Sequence, residues 1–257
     1  MVKHLAICVI VLFLPAISNV AWSAPVSWVP DADGLWQTPV NWSSNPSLPG
    51  PADDVTIDRP AAITVTISSG NPSVRSLTSM ENLIVGGGTP LTLTVGEGGG
   101  QINGALTITP GAKLTSSGGM LQAGGTIMAD RANLDAQSGG TLNLAALSSY
   151  TAGNGTTMIR ANGTGSSVNL SGVTSLSGGT GFATTQVYAQ AGGTVNLSGL
   201  PSITAGAVDV IATGAGSTID FGSLATFSPN NPSSTRRFRA ENGGTLQIKT
   251  AGNTSAI

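Results

Sequence analysis

The sequence predicts an all-β fold, a right-handed parallel β-helix with about three short strands in each coil of 24–27 residues. The first observation is a repeated phrase: a glycine, a small residue and Ser or Thr, then an apolar, a polar and an apolar residue. The phrase begins at Gly139, Gly165, Gly192, Gly216 and Gly243. A regular period of this length is typical of solenoids, in which each unit buries its apolar face against its neighbours.

Composition is the second observation. Glycine accounts for 36 of the 257 residues, and only 9% of the chain is charged, against about 25% in ordinary globular proteins. Disordered chains are usually charged and poor in β-branched residues. Here Val, Ile and Thr recur in register, so the bias favours an ordered β structure.

Residues 1–23 have the pattern of a secretory signal peptide. A short basic stretch precedes an apolar run over Leu5–Ile17, and small residues at Ala21 and Ser23 favour cleavage before Ala24. The alternative is a retained N-terminal anchor. Export predicts a secreted or cell-surface location. No later apolar segment is long enough to predict a membrane span in the mature chain.

Cleavage would also remove the only histidine, His4, and the only cysteine, Cys8. Serine-hydrolase and cysteine-protease triads need an imidazole, so these classes are excluded for the mature chain. The mature chain keeps 12 acidic residues and, without Lys3, 9 of the 10 basic ones, a formal balance of −3. A general nucleic-acid surface needs a concentrated basic face, so no nucleic-acid partner is expected.

Residues 24–58 form a Trp- and Pro-rich N-terminal element that holds Trp28, Trp36 and Trp42. We predict that it caps the open end of the solenoid, because the first coil would otherwise expose its apolar core. The alternative is that the three rings contact a glycan. The alternating residues that end at Asp58 are expected to begin the first strand.

Residues 59–257 carry the β-helix repeats. Ile63–Ile67, Leu91–Val95 and Leu106–Thr109 alternate with period two, which predicts one inward apolar row and one outward Thr row. From residue 137 the whole coil is visible, with an opening strand, apolar residues at intervals of three and a third strand. The third strands are predicted at Met158–Ala161, Gln186–Ala189, Val208–Ala212 and Arg237–Ala240.

Roughly ten such coils, stacked about 4.8 Å apart, would make a rod on the order of 50 Å long. Leucine-rich repeats are the rival interpretation, since their period also fits. The repeats lack a helix-forming stretch, because Thr, Gly and Asn dominate the return path.

The polar position of each phrase is expected to point outward and to form a ladder along one face. The ladder consists of Asn143, Asn169, Asn196, Asp220 and Gln247. The simplest interpretation is a solvated ladder of mutually hydrogen-bonded amides. The alternative is a face that binds glycans.

Acidic residues are the candidate catalytic groups, because a glycosidase needs two carboxylates about 5–9.5 Å apart. Asp209 and Asp220 lie on different predicted strands, and Asp130 and Arg131 with Asp135 make the densest acid–base group. No catalytic residue is assigned. If the protein is an enzyme, we expect a polysaccharide lyase or a glycoside hydrolase.

No cofactor and no metal site are predicted, with calcium as the only alternative. Asp31-Ala32-Asp33-Gly34 places oxygen ligands at alternate positions but lacks the later ligands of a calcium loop. Asp53 and Asp54 with Asp58 are a second, equally incomplete group. Arg236–Arg239 is the basic cluster, with Phe238 expected inward and the arginines outward, solvated or against an anionic polysaccharide.

The opening pattern G-x-W-x5-W-S, from Gly34 to Ser43, is followed by P-G-x-x-D-x-V-x-I from Pro49 to Ile57. Together with the repeated phrase, it resembles bacterial secreted β-helix proteins of the autotransporter-passenger type. The resemblance implies an extracellular structural or adhesive role and carries over no catalytic residues. Neither a β-barrel translocator nor a sorting signal is visible.

The last residues, 251–257, make a weak terminal cap for a solenoid. We therefore expect that the coils continue in a longer natural product or that this end docks on a partner. Polysaccharide or other surface proteins are the expected partners. The predicted function is a secreted structural or adhesive protein without catalytic activity. The alternative is a carbohydrate-active β-helix that binds or cleaves polysaccharide.

Overall fold

The computed structural model describes residues 24–87, 91–234, 236–250 and 253–256. The predicted signal peptide, 1–23, lies outside the described residues. The chain is a parallel β-solenoid of about 8 turns with 52% strand and 1% helix, as expected for a right-handed parallel β-helix. Each complete coil contributes three strands, so the leucine-rich-repeat interpretation, with one strand in each unit, does not hold.

Three faces run along the solenoid, which we call A, B and C. Face A stacks the strands Ala24–Ser27, Asp53–Ile57, Ser73–Ser79, Thr92–Ile102, Met120–Ala123, Thr141–Asn143, Ser167–Asn169, Thr194–Asn196, Thr218–Phe221 and Thr245–Thr250. Face B begins with the first residues of two of these strands, Ser73–Ser79 and Thr92–Ile102, which bend from face B to face A. Face B continues with Lys113–Ser117, Asn133–Gln137, Thr157–Asn162, Thr185–Gln190, Val208–Thr213 and Arg237–Glu241.

Face C is shorter and is divided into three ladders. Its strands are Gly34–Leu35, Thr64–Ile67, Asn82–Val85, Leu106–Ile108 and Ile127–Met128, then the pairs Ser149–Gly153 with Ser175–Gly179 and Ser202–Ile203 with Thr226–Phe227. The described helix is a single 3-10 turn at Pro39–Asn41. The last described strand, Asn253–Ala256, runs antiparallel to Thr245–Thr250.

The chain passes from face A to C to B in each coil after the first, which has no face B strand among its described residues, and the coils differ in length. Leu121 pairs with Leu142, a step of 21 residues, whereas Val168 pairs with Val195, a step of 27. On face A the expected range of 24–27 therefore holds from Leu142 onward and is too long for the steps between Val55 and Leu142, whereas the first step, from Val26 to Val55, is 29 residues. Ten strands stack on face A, and the solenoid has about 8 turns, which corresponds to a rod of roughly 40 Å where the sequence predicted roughly ten coils and 50 Å.

The core lies inside the three faces and consists of the inward residues of each strand. The apolar residues predicted at intervals of three are buried, as Leu144, Leu147 and Tyr150 illustrate. Full burial of a Leu or Ile side chain contributes about 1.5–3 kcal/mol to folding. Because every coil repeats these positions, the core is one continuous column of side chains.

The leading glycine of each phrase occupies a tight turn between faces B and A, as predicted. Gly139 and Gly192 have φ of 81° and 89°, a region that side chains with a Cβ rarely adopt. The second position alternates between glycine and serine. A Cβ at Gly193 would lie 2.4 Å from the backbone oxygen of Ala161, so this turn excludes any side chain.

The first strand lies earlier than the sequence suggested. Ala24–Ser27 pairs in parallel with Asp53–Ile57, so the solenoid stack begins before the segment that ends at Asp58. In the described part of the chain, no helix is long and apolar enough to cross a membrane.

Candidate functional site

The three tryptophans pack against one another at the N-terminal end. The ring centroids of Trp28 and Trp42 are 5.0 Å apart, and those of Trp36 and Trp42 are 4.7 Å apart, both in edge-on arrangements. The indole of Trp42 donates to the backbone oxygen of Trp36. Trp28 and Trp42 also form an antiparallel bridge beside the first strand. Each of the three residues is only 1% exposed, so glycan stacking, the alternative to a cap, would need these rings to become accessible.

A small apolar recess of about 230 Å³ adjoins this cluster. Its walls are Trp36, Leu48, Pro49 and Pro72, with Gln37, Ser69, Gly70 and Asn71 at the rim. Within the described residues, the indole nitrogen of Trp36 has no hydrogen-bond partner. The recess is smaller than the roughly 300–1,000 Å³ of most ligand pockets.

The polar ladder lies in register on face A. Asn143 pairs with Asn169, which pairs with Asn196, and the row continues through Asp220 to Gln247. The amide of Asn169 donates to Oδ1 of Asn143 over 2.9 Å. The Oδ1 atoms of Asn169 and Asn196 also accept backbone N–H groups two residues later. The ladder therefore stabilises the strand ends as well as neighbouring coils.

The candidate calcium ligands bind the backbone of the next coil. Oδ1 of Asp31 accepts the N–H of Ala61, and Oδ1 of Asp33 accepts that of Thr64, over 2.9 and 2.7 Å. Asp53 accepts the N–H of Gly50. No group of three or more acidic, His or Cys side chains in the described residues is arranged to hold a metal. Calcium binding stays an untested alternative to the prediction of no metal site.

Face B carries a stripe of alternating acids and bases that crosses six consecutive strands. We call Lys113, Asp135, Arg160, Tyr188, Asp209 and Arg237 the face B stripe. Arg160 binds Asp135 with two hydrogen bonds, Nε to Oδ1 at 2.9 Å and Nη2 to Oδ2 at 2.8 Å. Lys113 lies 3.9 Å from Oδ2 of the same carboxylate. Arg160 is in turn opposite Tyr188 on the next strand.

A second cluster in the stripe is centred on Asp209. The Tyr188 hydroxyl donates to Oδ2 of Asp209 over 2.8 Å. Arg237 adds two hydrogen bonds, Nε to Oδ1 at 2.8 Å and Nη2 to Oδ2 at 2.6 Å. Bidentate, charge-assisted arginine–carboxylate pairs are among the stronger hydrogen-bonded contacts in proteins.

The carboxylates of the face B stripe are buried, whereas its cationic side chains are partly exposed to solvent. The side chains of Asp135 and Asp209 are 1% and 2% exposed, whereas those of Lys113, Arg160 and Arg237 are 34%, 27% and 42% exposed. The hydrogen bond to Asp135 is the main factor that raises the pKa of Arg160, and Asp209 does the same for the pKa of Arg237. Desolvation, followed by the hydrogen bond to Asp209, raises the pKa of Tyr188 to about 12.

The geometry separates the two buried carboxylates. Asp135 and Asp209 are three coil steps apart, which is about 14 Å along the solenoid axis. Catalytic carboxylate pairs of glycosidases are about 5–9.5 Å apart. Asp220 lies on face A and Asp209 on face B, so these two are also apart, as expected. Asp130 accepts the N–H of Thr151 and does not join Asp135.

The basic cluster divides as predicted between inside and outside. Phe238 packs against the core, with its ring 4.8 Å from that of Phe227. Arg237 and Arg239 point outward, and Arg239 pairs with Glu241 at 2.6 Å. Arg236 donates to the backbone oxygen of Pro229.

Sequence reasoning missed Lys113, Arg160 and Tyr188 as members of one site. A signal was present, because Arg160 follows Asp135 by 25 residues and Arg237 follows Asp209 by 28. Both intervals are one coil, so an acid followed one period later by arginine predicts a contact between coils. Comparisons of the chain with protein-family models, with curated proteins and with solved structures found no match.

Proposed function

We propose that the protein is exported through residues 1–23 and acts outside the cell as a rigid, non-catalytic spacer with adhesive faces. The observation that carries this proposal is the continuous pairing of faces A and B from coil to coil. Hydrogen-bonded stacking of this kind favours a stiff rod, because each coil is held by its neighbours on several faces.

The contacts of the acidic side chains support the same proposal. Asp31, Asp33 and Glu81 accept backbone N–H groups, and Asp135 and Asp209 bind arginines. Carboxylates held in this way stabilise the coils and are poorly placed to act as an acid and base pair. The resemblance to autotransporter-type passengers favours a bacterial surface protein, and the Trp-rich segment would cap its first coil.

A distance measurement tests the spacer function. The mature chain has no cysteine, so Ser47→Cys with Ser223→Cys gives two unique positions for fluorophores. Seven coil steps separate the face A strand after Ser47 from the one before Ser223, which predicts one narrow distance of roughly 35 Å along the axis between the labelled positions. The same protein in denaturant is the control for a broad distribution. A broad or multi-peaked distribution under native conditions would overturn the rigid rod.

Turnover assays test the absence of catalysis. The mature protein is incubated with neutral and acidic polysaccharides, and reducing ends and unsaturated sugars are measured. We expect neither product. If the protein releases either product, and the Asp135→Asn or Asp209→Asn variant does not, the protein is a carbohydrate-active enzyme and the spacer proposal is wrong.

Fractionation of cells that express the full chain tests export. Retention of the protein in the cytoplasm would contradict export.

A further inference from the structure

We propose that face B of the C-terminal coils binds an acidic polysaccharide along the face B stripe. This inference goes beyond the spacer function, since a rigid rod needs no ligand. It rests on four features of face B: where the charges lie, which atoms face outward, what flanks them, and how they repeat.

The charges of the chain are divided unevenly. Residues 24–97 contain seven acidic and two basic residues, a formal balance of −5, whereas residues 98–257 contain five acidic and seven basic ones, a balance of +2. Of the seven basic residues in 98–257, six lie in a face B strand or within two residues of one, and the seventh, Lys249, lies in a face A strand. An acidic protein therefore concentrates most of the positive charge of these coils on one face.

The outward atoms of this face are cationic donors. Arg160 and Arg237 hold their carboxylates with Nε and Nη2, and Nη1 of each guanidinium forms no hydrogen bond within the described chain. Because Asp135 and Asp209 are almost fully covered, a ligand on the face B stripe meets mainly guanidinium and ammonium groups, and the half-buried Glu241 is held by Arg239. Arginine donors of this kind suit carboxylate and sulfate groups.

A row of neutral polar side chains flanks the stripe. Gln137, Asn162, Gln190 and Thr213 are in register, one coil apart, and each is half-buried. Within the described residues, the three amides make no side-chain hydrogen bonds, so their donors and acceptors are open to a ligand. Amides beside cations match a ligand that alternates hydroxyl and anionic groups, which is the chemistry of an acidic polysaccharide.

The spacing favours a linear polymer over a small anion. Lys113, Arg160 and Arg237 lie on strands that are two and three coil steps apart, or about 10 and 14 Å along the solenoid axis, and Arg160 is offset by two residues from the other two. A single small anion could meet only one of these groups. Double-stranded DNA carries one charge per about 1.7 Å of its axis, far denser than cations spaced about 10 and 14 Å apart, so the spacing disfavours nucleic acid.

Titration calorimetry at low salt tests the proposal with polygalacturonate, dextran sulfate, dextran and double-stranded DNA. Polygalacturonate and dextran sulfate separate a carboxylate from a sulfate ligand, and dextran tests the need for charge. We expect binding to at least one acidic polysaccharide, weakened by added salt, and none to dextran. The proposal is overturned if neither acidic polysaccharide binds or if DNA binds as tightly.

Variants locate the site. Lys113→Gln with Arg239→Gln removes two outward charges and leaves both arginine–aspartate pairs intact. We expect a roughly tenfold weaker Kd, as for the loss of two surface ion pairs. Arg59→Gln with Arg75→Gln is the matched control, since it removes the same charge from the N-terminal coils. If the two double variants bind with equal Kd values, face B is not the binding site.

A second pair of variants tests the amide row. Gln190→Ala on face B is compared with Gln122→Ala, a half-buried glutamine on face A. Weaker binding only in Gln190→Ala is the expected result, and no difference between the two would contradict a role for the row. The fluorophore distance is measured on the same variants, so loss of binding with an unchanged distance separates this inference from the spacer function.

Discussion

The N-terminal and C-terminal coils share one architecture but use their acidic residues differently. In the first coils, most carboxylates with a partner, such as Asp31 and Glu81, accept backbone N–H groups, and Asp54 with Arg75 is the exception. In the later coils, Asp135 and Asp209 pair with arginines one coil further on. A carboxylate on backbone amides leaves a negative surface, whereas one beneath an arginine leaves a positive surface. The same fold therefore produces two surfaces of opposite charge.

Removal of an arginine is expected to have the largest effect on the free energy of unfolding. Arg160→Met leaves the buried Asp135 without its two hydrogen bonds, and we expect a loss of about 3 kcal/mol in the free energy of unfolding. Arg75→Met is the matched change in the N-terminal coils, where Asp54 is 29% exposed and can be solvated. We expect a much smaller loss there.

Urea unfolding at neutral pH measures both variants. Asp135→Asn combined with Arg160→Met should recover part of the loss, because the buried charge is then removed. Equal losses in Arg160→Met and Arg75→Met would mean that the burial of Asp135 does not distinguish the two regions.

The glycine turns provide the next test. A Cβ at Gly193 would lie 2.4 Å from the backbone oxygen of Ala161, and backbone cannot move aside as a side chain can. Gly193→Ala should cost about 2 kcal/mol. At Gly124, in a shorter coil, the nearest atom to an added Cβ is 3.9 Å away. Gly124→Ala should be neutral or slightly stabilising, and a similar loss at both positions would contradict this account.

The sequence predicted much of this turn because the glycine phrase is local. A positive φ at Gly139 and a buried Leu142 follow from residue types that are adjacent in the chain. The face B stripe could not be derived in the same way, since Asp135 and Arg160 meet only when two coils are in register. Coil length varies, so the register of distant strands depends on the corners between them. The N-terminal coils, without the phrase, were predicted least well, and the strand Ala24–Ser27 was missed.

The serines of the phrase allow a smaller test. The hydroxyl of Ser217 donates to the backbone oxygen of Thr213 and accepts the N–H of Gly192 from the previous coil. Ser217→Ala should cost about 1 kcal/mol. Ser198→Ala is the control, because its hydroxyl makes no hydrogen bond within the described residues. Equal unfolding midpoints for the two variants would show that the hydroxyl bridge does not stabilise the longer coils.

The smallest expected effect concerns the titration of the two tyrosines of the chain, Tyr150 and Tyr188, at high pH. Burial raises the pKa of both, and the pKa of Tyr188 reaches about 12, against about 10 for an exposed tyrosine. A pKa raised by folding favours the neutral hydroxyl. The contribution of Tyr188 to stability is therefore complete below about pH 10 and is lost as the pH rises towards 12.

Tyrosinate absorbance of the Tyr150→Phe variant follows Tyr188 alone. We expect its midpoint to lie near pH 12 in the folded protein and near 10 in denaturant. Asp209→Asn keeps an acceptor for the hydroxyl but removes the negative charge, so it should lower the midpoint. A midpoint near 10 in the folded Tyr150→Phe protein would mean that Tyr188 does not donate to Asp209. The Asp209 cluster would then be a single arginine–aspartate pair, like that of Asp135 and Arg160.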